Sequence, residues 1–323
     1  MKFLVIQTSF LGDVILATAI AEKLHSIYPH GAIDFLVKFG NESVLKNNPN
    51  IRNVLVWDKK HDKYGNLIKL IGIVRKHQYE YVINLHRFGS SGLLTMLSGA
   101  PFTSGFHNNP FSFSYTHKYH HSVGNGEHEI VRNQQLISFI SDAQPALPAV
   151  YPSQLDFEAT KKYKDSPFVC IAPGSVWATK RLPIEKWIEL CDRTNLKIYI
   201  IGSSEESKLA SEIISKTSNK FIVNLCGELT LLQTASLLKE AKMNYVNDSA
   251  PLHLCSAINA ECTAFFCSTL PEFGFGPLGE KAIVVQTKEI LECRPCGIHG
   301  RNTCPKGHFK CGETIQINDI NSL

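Results

Sequence analysis

Short apolar segments recur along this chain, and most are followed by a stretch that is apolar on one helical face. No other property narrows the possible folds as much, because strand, helix and strand in series make a βαβ unit, and such units build parallel sheets covered by helices. Lys2–Gln7 predicts a strand, Thr8–Asp13 a loop, and Val14–Tyr28 a helix with Ala17, Ile20, Ala21, Leu24, Ile27 and Tyr28 on one side. Ile33–Val37, Val54–Trp57 and Tyr81–Leu85 predict strands, Leu67–His77 a helix, and the loop His86–Ser91 a further helix running to Leu97. The histidine-bearing stretch Phe106–Gly126 is expected to be a mobile surface loop. Its histidines (His107, His117, His120, His121) have no cysteine or carboxylate interleaved at metal-ligand spacing. Glu129–Ser141 returns to helix.

The alternation then stops and restarts. Between the two runs lies a segment with Pro145, Pro148 and Pro152 and no periodicity, which reads as a linker. A length of 323 residues is also long for one core. The expectation is two α/β domains, 1–152 and 153–323. In the second, Phe168–Ala172, Lys197–Ile201, Phe221–Cys226, Asn244–Asn247 and Glu261–Phe266 predict strands, and Thr230 with Gln233 forms a capping box for one of the helices between them.

Parallel sheets bind ligands at the carboxyl ends of their strands. Polar groups at such ends are Asp13, His86 and Arg87 in the first half. In the second half they are Ser175 with Lys180, Glu205 with Glu206, and Asp248 with Ser249 and His253. The stretch FVCIAPGSVWATKR is the most informative. Its strand breaks at Pro173-Gly174-Ser175 and delivers a hydroxyl, Lys180 and Arg181 just before a helix that Pro183 can open. Helix-terminal N–H groups, a hydroxyl and two cations suit a phosphate. An ordinary strand–loop–helix with a solvated basic pair is the plainer reading, and Asp13, Asp248 and Ser249 could equally be helix caps.

Other classes are disfavoured. No GxGxxG follows the first strand and no GxxxxGK[ST] occurs, against a dinucleotide fingerprint and a P-loop. A net charge of +4 is too mild to argue for nucleic acid but does not oppose an anionic substrate. No apolar run approaches the roughly 20 residues of a membrane span, and the N-terminus reads as a core strand instead of a signal peptide. Of the ten cysteines, Cys170, Cys191, Cys226, Cys255, Cys262 and Cys267 lie in or beside apolar segments and read as buried thiols of a reducing compartment. Cys293, Cys296, Cys304 and Cys311, spaced C-x2-C-x7-C-x6-C with His299 and His308 among them, allow a structural zinc or a cluster of free or redox-labile thiols.

The segments FLGDVILATA, APGSVWATKRLPIEKW, NDSAPLHLCSA and FCSTLPEFGFGP occur in the order found in glycosyltransferase family 9, the heptosyltransferase family, and the chain resembles that family over nearly its whole length. Its cysteine-rich tail, 293–311, is similar to that of members of the heptosyltransferase II type. The resemblance implies a GT-B architecture of two Rossmann-like domains facing across a cleft, the first for the acceptor and the second for the nucleotide sugar. It implies inverting, metal-independent transfer of heptose from ADP-heptose to the lipopolysaccharide inner core. Such an enzyme would be cytoplasmic, in peripheral contact with the inner membrane, with no cofactor needed for catalysis and no nucleic-acid partner. By position, Asp13 matches the catalytic base, Ser175 and Lys180 the groups on the diphosphate, and either Glu205 or Glu206 the acid on the ribose. Leu229 matches the residue whose backbone meets adenine, and Asp248, Ser249 and His253 match a D-[ST]-G-x-x-H segment around sugar and phosphates. Ala250 replaces that segment's glycine, which crowds a close backbone approach and leaves the donor sugar open. His86, Arg87 and Ser90 are the candidates for acceptor anions, with Lys59, Lys60 and Lys63 either assisting or merely solvated. A transferase with another nucleotide sugar, or a two-domain binding protein without turnover, remain alternatives.

Overall fold

β1 (Lys2–Gln7) is apolar on both sides, as a strand covered on both faces must be, and it lies at the middle of a parallel sheet. In a computed structural model that describes residues 1–317, the chain divides into two units. Residues 318–323 of the second expected domain lie outside the described residues.

The first unit comprises Met1–Ser122 and Glu127–Tyr151. After β1 come α1 (Leu11–Ile27), β2 (Ala32–Lys38), β3 (Asn53–Trp57), α2 (Lys63–His77), β4 (Tyr81–Asn84), α3 (Gly89–Met96), β5 (Phe102–Phe106), β6 (His117–Tyr119) and α4 (Glu129–Gln135). All neighbouring strands pair in parallel in the order β3-β2-β1-β4-β5-β6. The period of two along β1 sends Leu4 and Ile6 into a cluster with Trp57, Leu67, Leu70, Val74 and Leu94, under α2 and α3. Phe3, on the opposite face, packs on Tyr28 at the end of α1, with ring centroids 5.5 Å apart.

The second unit comprises Val123–Gly126 and residues from Pro152 onward. Its elements are α5 (Gln154–Thr160), β7 (Phe168–Ala172), α6 (Ile184–Arg193), β8 (Lys197–Ile200), α7 (Ser207–Lys216), β9 (Ile222–Asn224), α8 (Leu231–Glu240), β10 (Asn244–Asn247), α9 (Ala250–Ala257), β11 (Cys262–Phe266), β12 (Ala282–Gln286) and α10 (Lys310–Glu313). The sheet is again all parallel, in the order β12-β11-β10-β7-β8-β9. Trp187, Leu190 and Cys191 of α6 are buried against Ile171, Ile198, Ile200 and Phe265 of the sheet. The six cysteines of the apolar segments are buried, and burial raises the Cys170 and Cys191 thiols, which keeps them protonated and inert.

Counted from its own first strand, each sheet has the order 3-2-1-4-5-6, the doubly wound Rossmann order. Each therefore has a point where connections leave in opposite directions: between β1 and β4 in one unit, between β7 and β10 in the other.

The structure departs from the sequence-based expectations in three places that matter. Helix α1 starts at Leu11, so Asp13 sits within its first turn and not in the preceding loop. Phe106–Gly126 is not a free loop: it contains β6, hydrogen-bonded to β5, and the side chain of His121 is only 2% exposed. Finally, β5 (FTSGF) was not foreseen, because Thr103, Ser104 and Gly105 interrupt any apolar alternation. Gly105 is needed there, since a Cβ would lie 2.4 Å from Cε2 of Tyr115.

Candidate active site

The loop after β7 is built around Asn247, the last residue of β10. Its Nδ2 donates to the carbonyls of Pro173 (2.8 Å) and Gly174 (3.3 Å), and its Oδ1 accepts from the Leu182 N–H (3.0 Å). Both ends of the Pro173–Leu182 loop are thus held by one fully buried amide. Within the loop, the Arg181 Nε donates to the Ser175 carbonyl at 2.7 Å. Arg181 is therefore a loop closure and not a solvated cation. Ser175 is buried, and Lys180 Nζ lies 2.7 Å from Asp248 Oδ2, with side-chain exposures of 14% and 5%. Thr269 donates to the same carboxylate oxygen at 2.7 Å. Ser249 stands at the N-cap position of α9 without a side-chain bond to the helix, and Ala250 opens that helix with helical backbone, so the alanine in the glycine's place imposes no strain. His253 is buried one turn further on.

Glu205 and Glu206 part company. Glu205 is exposed. Glu206 folds back to accept from the Ser203 N–H (2.7 Å), and its carboxylate covers Gly174 so closely that a Cβ there would lie 1.5 Å from Oε1. Only glycine leaves room for that carboxylate beside the Pro173–Leu182 loop. Leu229 is half-buried in the β9–α8 connection, which is tied to the β8 end by Gly227 N–H donating to the Gly202 carbonyl at 2.9 Å.

The tail contributes more than sequence reasoning assigned. Arg294 donates to the carbonyls of Phe266, Cys267 and Thr269 and to the side chain of Gln286, clamping the tail to the carboxyl end of β11. Thr179 and Arg301 exchange hydrogen bonds: the Thr179 N–H to the Arg301 carbonyl (3.0 Å) and the Arg301 N–H to Thr179 Oγ1 (2.8 Å). Gly300, at φ 78°, passes so close that a Cβ would lie 3.0 Å from Lys180 Cγ. A lone arginine in a polar tail carries no sequence signal for such a clamp, and neither does an asparagine at a strand end. Of the four tail cysteines, Cys293 Sγ lies 3.8 Å from His308 Nε2 and the Cys296 thiol faces the Cys293 carbonyl at 3.4 Å. Among the described residues no three His, Cys, Asp or Glu side chains are grouped to hold a metal ion. Cys293, Cys296, Cys304 and Cys311 lie near enough for their charges to interact: burial first, then the neighbouring thiols, raise Cys296 and Cys311.

In the first unit the switch point gathers Asp13, His86 and Arg87. Asp13 accepts from the Phe10 N–H at 3.1 Å. Burial pushes its carboxyl up from the ordinary value and the charge of Glu129 adds to this, against the Ser9 hydroxyl, the Phe10 N–H and Arg87. Lys38 stands near enough to feel the charge of Asp13. His86 is buried, with Nδ1 3.2 Å from both Thr8 Oγ1 and Ser91 Oγ. Burial, then Lys59, Arg87 and Lys38, lower its pKa to about 3, so it acts as a neutral ring and not as a cation. Lys59 donates to the Thr8 carbonyl (3.0 Å) with its ammonium over the Trp57 ring, and burial followed by Lys38 and Lys63 brings it down to about 8. Ser90 is half-buried in the first turn of α3; its neighbour Ser91 is the residue bonded to His86. Among the described residues, no helix is long and apolar enough to cross a membrane.

Comparison with known proteins bears on what these two sites are. A family model described as glycosyltransferase family 9 (heptosyltransferase) matches residues 67–304. Lipopolysaccharide heptosyltransferase 2 of Escherichia coli (strain K12) is 24% identical over 310 residues, covering 88% of each chain. Among solved structures, a family 9 glycosyl transferase from Veillonella parvula DSM 2008 superposes with a TM-score of 0.80 at 22% identity, covering 90% of this chain and 88% of the other. The E. coli ADP-heptose lps heptosyltransferase II superposes with a TM-score of 0.77 at 21% identity, covering 96% and 97%.

Proposed function

The chain belongs to glycosyltransferase family 9, and on that premise we propose that it moves heptose from ADP-heptose to the inner core of lipopolysaccharide, inverting the anomeric carbon. The observation that carries the reading is the buried Lys180–Asp248 pair at the switch point of the second unit. A lysine is held there, beside the N-terminus of α9 and the buried Ser175 hydroxyl. That set of groups suits a diphosphate. In the proposed reaction the acceptor hydroxyl gives its proton to Asp13. Its oxygen bonds to the anomeric carbon, and the bond from that carbon to the β-phosphate oxygen breaks on the opposite side. Lys180, Ser175 and the α9 terminus take up the charge appearing on the departing ADP. Glu206 is assigned to the ribose, the Leu229 backbone to adenine, and Arg87 with Lys38 and Lys59 to the anions of the acceptor. Such an acceptor is lipid-linked, so the enzyme would work in the cytoplasm against the inner membrane.

The test has two parts. ADP should raise the melting temperature and UDP should not; a preference for UDP would overturn the donor assignment. Asp13→Asn should lose transfer by at least roughly a thousandfold while binding ADP as before, and Lys180→Ala should lose ADP affinity roughly tenfold or more. Asp13 must be ionised to accept a proton, and its pKa is raised. Hence kcat/KM should fall on acidification through a value above the usual carboxylate range of about 4. An acid limb at or below that range, or normal turnover of Asp13→Asn, would remove Asp13 from the role.

A further inference from the structure

Behind Arg87, which the proposed reaction assigns to the acceptor, runs a buried chain of polar side chains that the reaction itself leaves without a role. Arg87 Nη1 lies 3.2 Å from His121 Nδ1. His121 Nε2 lies 3.4 Å from Glu129 Oε2, and Arg132 Nε donates to that same oxygen at 2.7 Å. The side chains of His121, Glu129 and Arg132 are 2%, 8% and 1% exposed. Phe106 stands edge-on to the His121 ring, with centroids 4.6 Å apart at 82°, which fixes the plane of the imidazole. Arg132 is anchored in turn by the Glu127 carbonyl.

The donors run in one direction. A guanidinium can only donate, so the Arg87 contact requires an unprotonated Nδ1 on His121. The ring proton is then on Nε2, 3.4 Å from the Glu129 carboxylate, an electrostatic contact without a closed hydrogen bond. Although burial opposes it, His121 and Arg132 hold Glu129 below its ordinary pKa and so ionised. Arg87 itself is half-buried, at the carboxyl end of β4, within electrostatic reach of Asp13. An untethered guanidinium next to a buried carboxylate would pair with it. Such a pair would silence the base and consume the cation.

We propose that His121 and Glu129 are positioning residues: together they hold the Arg87 guanidinium for an anionic group of the acceptor, a phosphate or a carboxylate, and keep it off Asp13. The proposal rests on the first unit being the acceptor site, but its geometry can be tested without turnover. The groups bearing on Asp13 are the Ser9 hydroxyl, the Phe10 N–H, Glu129, Arg87 and Lys38, and of these only Glu129 adds negative charge.

The experiment uses the full-length protein with 15N-labelled histidine and arginine. The His121 ring should show an unprotonated Nδ1 and a protonated Nε2. Inorganic phosphate should perturb the Arg87 side-chain resonance. His121→Phe, which leaves the Glu129–Arg132 pair intact, should weaken that phosphate response roughly tenfold. His121→Gln can accept from Arg87 and donate to Glu129, so it should bring the response back to within about threefold of the parent. In transfer assays His121→Phe should raise the acceptor KM with ADP affinity unchanged. Glu129→Gln should move the acid limb of kcat/KM to lower pH, since a like charge beside Asp13 is removed. A proton on Nδ1, or an unchanged phosphate response in His121→Phe, would overturn the proposal. A parent protein that shows the expected ring and phosphate behaviour but transfers no heptose would leave the network standing and remove the functional reading instead.

Discussion

Lys180 pairs with Asp248, and Thr269 satisfies the same carboxylate oxygen, so the burial of this ion pair is compensated. An incoming diphosphate would exchange one anionic partner of Lys180 for another instead of having to order a free side chain, which spares the rotamer entropy of a lysine. The two neighbouring glutamates show how one position decides a role. Glu206 lies over Gly174 beside the phosphate-loop candidate, while Glu205 points its charge into solvent. Glu206→Gln should therefore weaken ADP binding roughly tenfold and Glu205→Gln should leave it within about twofold, read by titration calorimetry. The reverse ranking would transfer the ribose role to Glu205.

The loop after β7 owes its shape to the end of a different strand. Asn247 is fully buried and serves backbone groups at both ends of the loop, chiefly the carbonyls of Pro173 and Gly174 and the N–H of Leu182. Replacing it by alanine strands those groups without water. Asn247→Ala should cost about 3 kcal/mol in stability, measured as a lower urea midpoint, and should weaken ADP binding because the loop loses its template. If stability fell but ADP bound as tightly as before, the loop would be shaped by its own residues and not by β10. The tail acts on the same loop from the other side through the Thr179–Arg301 exchange and the Arg294 clamp.

Each unit has its own six-stranded parallel sheet with the same strand order and its own core, and each places its candidate residues at the point where the winding reverses. Binding of ADP should therefore be legible in one unit alone. Amide exchange should slow at 173–182, 202–206 and 247–253 and stay unchanged in β1 to β5. At 100 times Kd the ligand adds about 2.7 kcal/mol to whichever cooperative unit holds it. Protection spread equally over both units would contradict a donor site confined to the second.

Residue order along the chain determined the class of fold and where its main strands lie. Continuous apolar runs separated by amphipathic helices have few ways to bury themselves other than a parallel sheet between helical layers. The resemblance in motif order then pointed to the family that the matching family model shows. Asp13, Lys180 and Asp248 could be singled out because strand ends are local features of a sequence. Long-range contacts were not legible in the same way. Sequence reasoning offered Arg181 to a phosphate or to solvent, missed Asn247 and Arg294, and treated His121 as part of a mobile loop. The partners of these residues are carbonyls or side chains that the folded chain alone brings near, as when Asn247 reaches Pro173 and His121 reaches Arg87. A hydrogen bond between residues so far apart in the chain leaves no periodicity behind. Only the packed sheet, by fixing which strand ends are neighbours, decided which polar residues form a site and which merely hold it in shape.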